Sequence, residues 1–341
     1  MRKPKVLITG GAGFIGVNAA VGFLRQGWNV TVWDNLSRQG ARENLRWLRS
    51  MGPIQFQKID LRFDKPVARA LSVARFDYVL HCAAQVAVTT SVTNPREDFE
   101  CNALGTFNVL DGVRRFCPEA FFVYTSTNKV YGGMESCRIV ERNGRYEYAN
   151  LKAGVSEDQP LDFHSPYGCS KGAADQYVRD YSRIYGLMTT SFRQSCIYGY
   201  RQFGMEDQGW VAWFTIAHAL DRPITIFGDG KQTRDILFID DLVAAYLKAW
   251  KHRKKVSGQV YNIGGGPKNQ FSLLQLLRLL ESESSRSVQY SFADARPGDQ
   301  KVFVADVRKA HRDFGWEPMC SCEKGVQKLN RWVKANLNLF R

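Results

Sequence analysis

No apolar run in the 341 residues reaches the roughly 18 residues that a membrane-spanning helix requires, so no membrane partner is expected. The apolar stretch behind Met1-Arg-Lys-Pro-Lys5 is also too short for a signal peptide, and the expected location is the cytoplasm. Cysteine is thinly scattered, at positions 82, 101, 117, 137, 169, 196, 320 and 322, without C-x-x-C pairs. That spacing indicates neither a zinc centre nor a disulfide framework, and no metal is expected. No internal repeat or low-complexity segment stands out. Carboxylates are the minority charge: 33 acidic against 47 basic residues leave +14. Such an excess suits either nucleic acid or a small anionic substrate. The basic residues are spread along the chain, and the densest group, Lys251-His-Arg-Lys-Lys255, follows a helical pattern whose C-terminal dipole favours cations. A small anion is therefore the expected partner, and no nucleic acid.

What is present begins with 44% apolar residues, enough for a full core in one large α/β unit or a two-lobed one. Val6-Leu-Ile-Thr9 runs into Gly10-Gly-Ala-Gly-Phe-Ile-Gly16, and an amphipathic segment follows to about Gln26. Strand, glycine turn and helix in that order form a cradle for a pyrophosphate, because the turn lets backbone approach the ligand and the helix start offers unpaired N–H groups. Val30-Thr-Val-Trp33 then reads as a second strand ending in Asp34, where a carboxylate can take both hydroxyls of an adenosine ribose. The same charge repels a 2′-phosphate, which favours NAD over NADP. Further strand-like runs recur at Ile54–Ile59, Tyr78–Cys82, Ala120–Thr125 and Met188–Arg193, each separated by room for a crossover helix. That rhythm predicts a parallel, doubly wound α/β sheet. Helical faces are read at 102–115 and 167–185. The alternation fades after about residue 194, so residues 1–193 are expected to bind the dinucleotide and 194–341 to form a smaller substrate lobe, with 236–263 returning to the first. A polar excursion at 133–159 is either a functional loop or a solvent-exposed detour.

Tyr167 and Lys171 stand four residues apart, on one face of a helix. They lie one crossover beyond Tyr124-Thr-Ser-Thr-Asn-Lys-Val-Tyr-Gly132, a strand whose tip carries hydroxyls at the sheet edge where ligands bind. A tyrosine is a poor base at neutral pH unless its phenolate is favoured by a nearby cation. Lys171 is expected to supply that cation, with Tyr167 taking a sugar hydroxyl proton and Thr127 bonding the same oxygen. Strand alternation should turn the adjacent Ser126 to the opposite face.

Taken together, these residues resemble the extended short-chain dehydrogenase/reductase family of nucleotide-sugar epimerases and dehydratases, over essentially the whole chain. The matching elements are Gly10–Gly16, Asp34-Asn35, Asp60-Leu61, His81-Cys-Ala-Ala-Gln85, Asn102, the hydroxyl cluster before Val130-Tyr-Gly132, Tyr167–Lys171, Arg193 and Gly228-Asp-Gly-Lys-Gln-Thr-Arg234-Asp235. The resemblance implies a Rossmann fold with a smaller C-terminal lobe, NAD held by Gly10, Gly13, Phe14, Ile15, Gly16, Asp34, Asn35, Asp60, Leu61, Ala83, Ala84, Gln85, Asn102, Tyr167 and Lys171, and catalysis by Thr127, Tyr167 and Lys171. It also implies that Arg234, Arg296 and Asp299 serve the substrate diphosphate, with Asn128, Lys129, Gln194 and Gln202 around the sugar. Dehydratases of the family carry Thr-Asp-Glu where this chain has Thr127-Asn-Lys129, so oxidation and re-reduction without loss of water is expected. The spellings at 126–132, 161–176, 200–203, 207–210 and 302–306 resemble the branch that epimerises C2 of CDP-hexoses. A UDP-sugar 4-epimerase is the alternative enzyme, and an NAD- or RNA-binding scaffold the non-catalytic one. The family resemblance implies a homodimer or homotetramer.

Overall fold

The computed structural model describes residues 2–284, 286–296 and 299–340. Seven parallel strands make the main sheet: β1 (Lys5–Thr9), β2 (Asn29–Asp34), β3 (Ile54–Lys58), β4 (Tyr78–His81), β5 (Phe121–Thr127), β6 (Thr189–Gln194) and β7 (Gln259–Ile263). Their order is β3-β2-β1-β4-β5-β6-β7. The chain starts in the middle, winds outward through β3, and resumes at β4 on the other side of β1. A crevice opens at that reversal, above the C-terminal strand ends.

Strands buried on both faces need apolar residues at successive positions, and β1, β4 and β5 have them. Val6, Ile8, Val32, Leu80, Phe121 and Val123 point into one core layer, together with Val17 and Phe23 of the helix Phe14–Arg25 and Leu242, Ala245 and Tyr246 of the helix Ile239–Lys251. The intervening Leu7, Trp33, Val79, Phe122 and Tyr124 enter the opposite layer, against the helices Asp64–Ser72, Gly105–Phe116 and Ser165–Tyr185.

The chain leaves the sheet after β6 and returns to it as β7, which pairs with β6 from Gln259↔Thr190 to Ile263↔Gln194. Between and after these strands lie smaller sheets. Thr233–Phe238 pairs with Cys196–Tyr198, Gln270–Ser272 and Val302–Phe303, and Ile224–Phe227 pairs with Tyr290–Ala293.

Two elements differ from the sequence expectation. The segment expected to be helical from Asn102 is already helical from Pro95, and it widens into a π turn at Glu100–Leu104 before continuing as Gly105–Phe116. Asn94 caps the start by accepting from the Glu97 N–H, a signal that apolar periodicity does not register. The polar excursion at 133–159 contains an antiparallel hairpin, Ile139–Arg142 with Arg145–Tyr148. Its Tyr148 and the neighbouring Val155 pack against Val302, Phe303 and Val304.

Candidate active site

The first cleft lies over the β1–β4 reversal and encloses about 350 Å³. Gly10 turns the chain with φ +63°, and a Cβ there would stand 2.7 Å from the Ala83 backbone. A Cβ at Gly16 would sit on the Gly10 carbonyl oxygen. Gly13 begins the helix without a side-chain cap, which leaves its first N–H groups open to an anion. At the tip of β2, the Asp34 carboxylate accepts from the Ala12 N–H at 3.0 Å and the Leu36 N–H at 2.7 Å. Burial raises its pKa, while those backbone donors and the Gly13 N–H pull it back down. Asn35 donates to Asp60, and Arg62 grips Asp60 at 2.7 Å and holds its carboxyl below the usual range. Phe14, Ile15, Leu61, Ala83, Ala84 and Gln85 complete the wall. Asn102 does not line this cleft: it is fully buried, and shapes the wall by accepting from the Gln85 N–H at 2.9 Å and donating to the Gln85 carbonyl at 3.0 Å.

A second cleft of about 310 Å³ adjoins the first, with Val86 and Gln208 lining both. At its inner end stand Thr127, on the last residue of β5, and Tyr167, on the third residue of the helix Ser165–Tyr185. Burial pushes the phenol pKa up to about 12, the Thr127 hydroxyl draws it down by hydrogen bonding, and the charge of Asp98 raises it. Lys171 departs from expectation. Its ammonium lines neither cleft; it donates to the Thr125 carbonyl at 2.6 Å and lies 4.3 Å from the centre of the Tyr124 ring. Complete burial drives its pKa down to about 7, and the Thr125 carbonyl accepts its hydrogen bond. Ser126 lines neither cleft.

The second cleft also carries three cations, Lys129, Arg234 and Arg296, beside the carboxylates Glu206, Asp207 and Asp299. Arg234 donates to Asp299 at 2.7 Å, and Lys129 lies 3.9 Å from the same carboxylate, its pKa lowered to about 8 by burial and by Arg234. Arg296 stacks 3.7 Å from the centre of the Phe227 ring. Asn128 also lines this cleft and donates to Gln300. Two expected sugar ligands lie elsewhere. Gln194 is buried and lines neither cleft, its amide being held by a hydrogen bond to the Tyr246 hydroxyl at 2.7 Å. Gln202 lines the first cleft rather than the second.

Residues 6–264 match the NAD dependent epimerase/dehydratase family. The chain belongs to that family. Along the chain it is 45% identical over 336 residues to CDP-paratose 2-epimerase of Salmonella typhi, covering 97% of this chain and 99% of that one. Among solved structures it superposes on UDP-glucose 4-epimerase of Thermotoga maritima with UDP-glucose at a TM-score of 0.84, with 31% identity and coverage of 98% and 99%. The UDP-glucose 4-epimerase of Thermus thermophilus in complex with NAD gives a TM-score of 0.81 at 30% identity, covering 97% of this chain and 99% of that one.

The cofactor of this epimerase/dehydratase is NAD, and the first cleft fits it. Glycines leave space that any Cβ would fill, an uncapped helix start faces the phosphates, and Asp34 stands where a ribose diol needs an acceptor. Sequence reasoning missed Arg38, Arg62 and Cys101 in this wall, and Cys196 and Phe227 in the second cleft. Phe227 was within reach: it closes the strand Ile224–Phe227 directly before the Gly228–Gly230 turn. Arg38 and Arg62 come from loops, Cys101 from the π turn and Cys196 from the start of the strand Cys196–Tyr198, and no apolar periodicity marks any of them.

Proposed function

We propose that this protein inverts C2 of the hexose of a CDP-sugar of the CDP-paratose and CDP-tyvelose type, through a transient 2-keto sugar. The observation that carries an epimerase reading is the Thr127–Tyr167 pair at the inner end of the substrate cleft, with Asn128 and Lys129 in place of the acidic pair that elimination of water requires. The C2 position and the cytidine base rest on the chain-long likeness to the Salmonella typhi enzyme.

Tyr167 takes the proton of the C2 hydroxyl and returns it after inversion, and Thr127 holds the same oxygen by a hydrogen bond. Bound NAD supplies a reversible hydride acceptor and a positive charge that favours the phenolate. Arg234, Arg296 and Lys129 anchor the diphosphate, so the hexose can turn over about a fixed tether between the two hydride transfers. NMR of the product from CDP-glucose tests the reading. Inversion at C2 supports it; inversion at C4 alone replaces it with the 4-epimerase chemistry named for the Thermotoga maritima neighbour.

A second copy of the chain is the proposed partner, as homodimer or homotetramer. Phe107 (38% exposed), Tyr177 (50%) and Ile184 (66%) are presented by the two helices Gly105–Phe116 and Ser165–Tyr185. Light scattering on the purified protein measures the state. No helix of the described residues is long and apolar enough to cross a membrane, and the proposed location is the cytoplasm.

A further inference from the structure

Gln202 stands in the wall of the NAD cleft, on a segment that arrives from the chain after β6, and the proposed chemistry does not use it. It is 6% exposed, and its side-chain oxygen Oε1 is buried with no hydrogen-bond partner among the described residues. The other end of the amide settles which atom is which. Nε2 lies 3.4 Å from the Ile197 carbonyl, and a carbonyl can only accept, so the nitrogen belongs there and the oxygen is the end left unpaired. A buried acceptor without a donor costs stability, and folded chains rarely keep one without a use. The cleft beside it is built for a ligand rich in donors: NAD carries hydroxyls on both riboses, an amino group on adenine and an amide on nicotinamide.

The surroundings hold Gln202 in place. Its neighbour Arg201 has φ +63°, a left-handed conformation that costs energy for a residue with a Cβ. That strained backbone is fastened to the first half of the chain. Arg201 Nε donates to the Asn44 side-chain oxygen at 2.9 Å and Nη2 to the Glu43 carbonyl at 3.1 Å, while Asn44 Nδ2 donates back to the Arg201 carbonyl at 3.2 Å. The guanidinium also lies 4.9 Å from the centre of the Trp47 ring. One residue earlier, the Tyr200 carbonyl accepts at 2.9 Å from Asn18, on the helix that begins at the glycine turn. On the other side, Gly209 has φ +76°, and a Cβ there would stand 2.8 Å from Gln202 Nε2. The missing side chain is the room that the amide occupies.

We propose that Gln202 is a cofactor-binding residue whose Oε1 accepts a hydrogen bond from an O–H or N–H of bound NAD, and that residues 200–202 are a wall of the NAD site supplied by the substrate-side half of the chain. The inference needs the NAD cleft alone and holds whichever carbon of the sugar is inverted.

Release of resident NAD tests it. The enzyme is loaded with radiolabelled NAD and chased with excess unlabelled NAD, and the label that survives gel filtration is followed in time. Gln202→Leu keeps the volume and removes the acceptor, and is expected to lose label about 3- to 10-fold faster than wild type, the worth of one hydrogen bond. If that variant does not fold, as read by circular dichroism, Gln202→Met takes the same measurement. Binding of ADP-ribose separates the possible donors. An affinity loss shared by NAD and ADP-ribose puts the donor on a ribose or the adenine, and a loss confined to NAD puts it on the nicotinamide amide. A folded variant that releases NAD at the wild-type rate overturns the proposal. So does a raised KM for the nucleotide sugar with NAD release unmoved, which returns Gln202 to the sugar. Inversion at C4 would refute the C2 assignment and leave the release rates as they stand.

Discussion

Tyr167 is a buried residue of the helix Ser165–Tyr185. Thr127 is the group that hydrogen-bonds its phenol, and burial otherwise raises its pKa to about 12. Tyr167→Phe is therefore expected to keep its fold and its NAD, as read by melting temperature and released nucleotide, while kcat falls by about 10²- to 10⁴-fold. A phenylalanine variant with undiminished turnover would remove the proton-transfer assignment. His81 sets a different pH limit. It is 0% exposed, lies between the hydroxyls of Thr9 at 2.8 Å and Thr106 at 3.0 Å, and burial lowers its pKa to about 3. Below pH 6.5 the unfolded chain binds a proton there that the folded chain refuses, so stability should fall as pH drops from 6.5 toward 3. The slope from this one residue is about 1.4 kcal/mol per pH unit. Urea denaturation at about pH 7.5, 5.5 and 4.5 should show that slope in wild type and a flatter one in His81→Gln.

At the scale of elements, the hairpin at Ile139–Tyr148 braces the far end of the substrate cleft. The Tyr146 hydroxyl donates to Asp229 at 2.5 Å, the Tyr146 N–H donates to the Lys231 carbonyl at 3.0 Å, and Lys231 pairs with Glu141 at 2.9 Å. These contacts steady the turn that leads into Gln232 and Arg234. Tyr146→Phe should raise KM for the nucleotide sugar about 2- to 10-fold, the worth of one hydrogen bond to a charged group near the surface, with NAD content unchanged. An unchanged KM would make the hairpin a purely structural ornament of the fold. The elements of the first cleft were legible in advance, because a glycine turn, a helix start and Asp34 follow one another within a single βαβ unit. The second cleft was legible only where a matched motif marked it, as at Arg234 and Arg296. Its remaining walls are assembled from segments far apart in the chain. Gln194 shows the limit: its position on β6 was foreseeable, yet the side chain's direction depends on Tyr246, a residue of a helix 52 positions later. Lys171 shows another, since helical spacing placed it beside Tyr167 but said nothing of the Thr125 carbonyl that captures it.

At the scale of the whole molecule, residues 1–193 do not hold the complete main sheet, whose last strand comes from Gln259–Ile263. The β6 strand is buried because β7 pairs along its outer edge, and the helix Ile239–Lys251 covers the helix Phe14–Arg25 with Leu242, Ala245 and Tyr246 in the shared core. A fragment ending at residue 193 should therefore expose the unpaired backbone edge of β6 and the core face that the helix Ile239–Lys251 covers, and aggregate where the full chain does not. Sedimentation of the two after expression checks this, and a soluble, NAD-binding fragment would show that the late strand is dispensable. The late arrival of β7 also dictates a schedule for synthesis. A growing chain that has emerged as far as Gln194 owns every residue of the glycine turn and of the Thr127–Tyr167 pair, yet its sheet stands open along one side. Closure waits until residue 263 has cleared the ribosome tunnel, and the strands Gln270–Ser272, Tyr290–Ala293 and Val302–Phe303 emerge later still, so the main sheet can close before the substrate-facing sheets have all their strands.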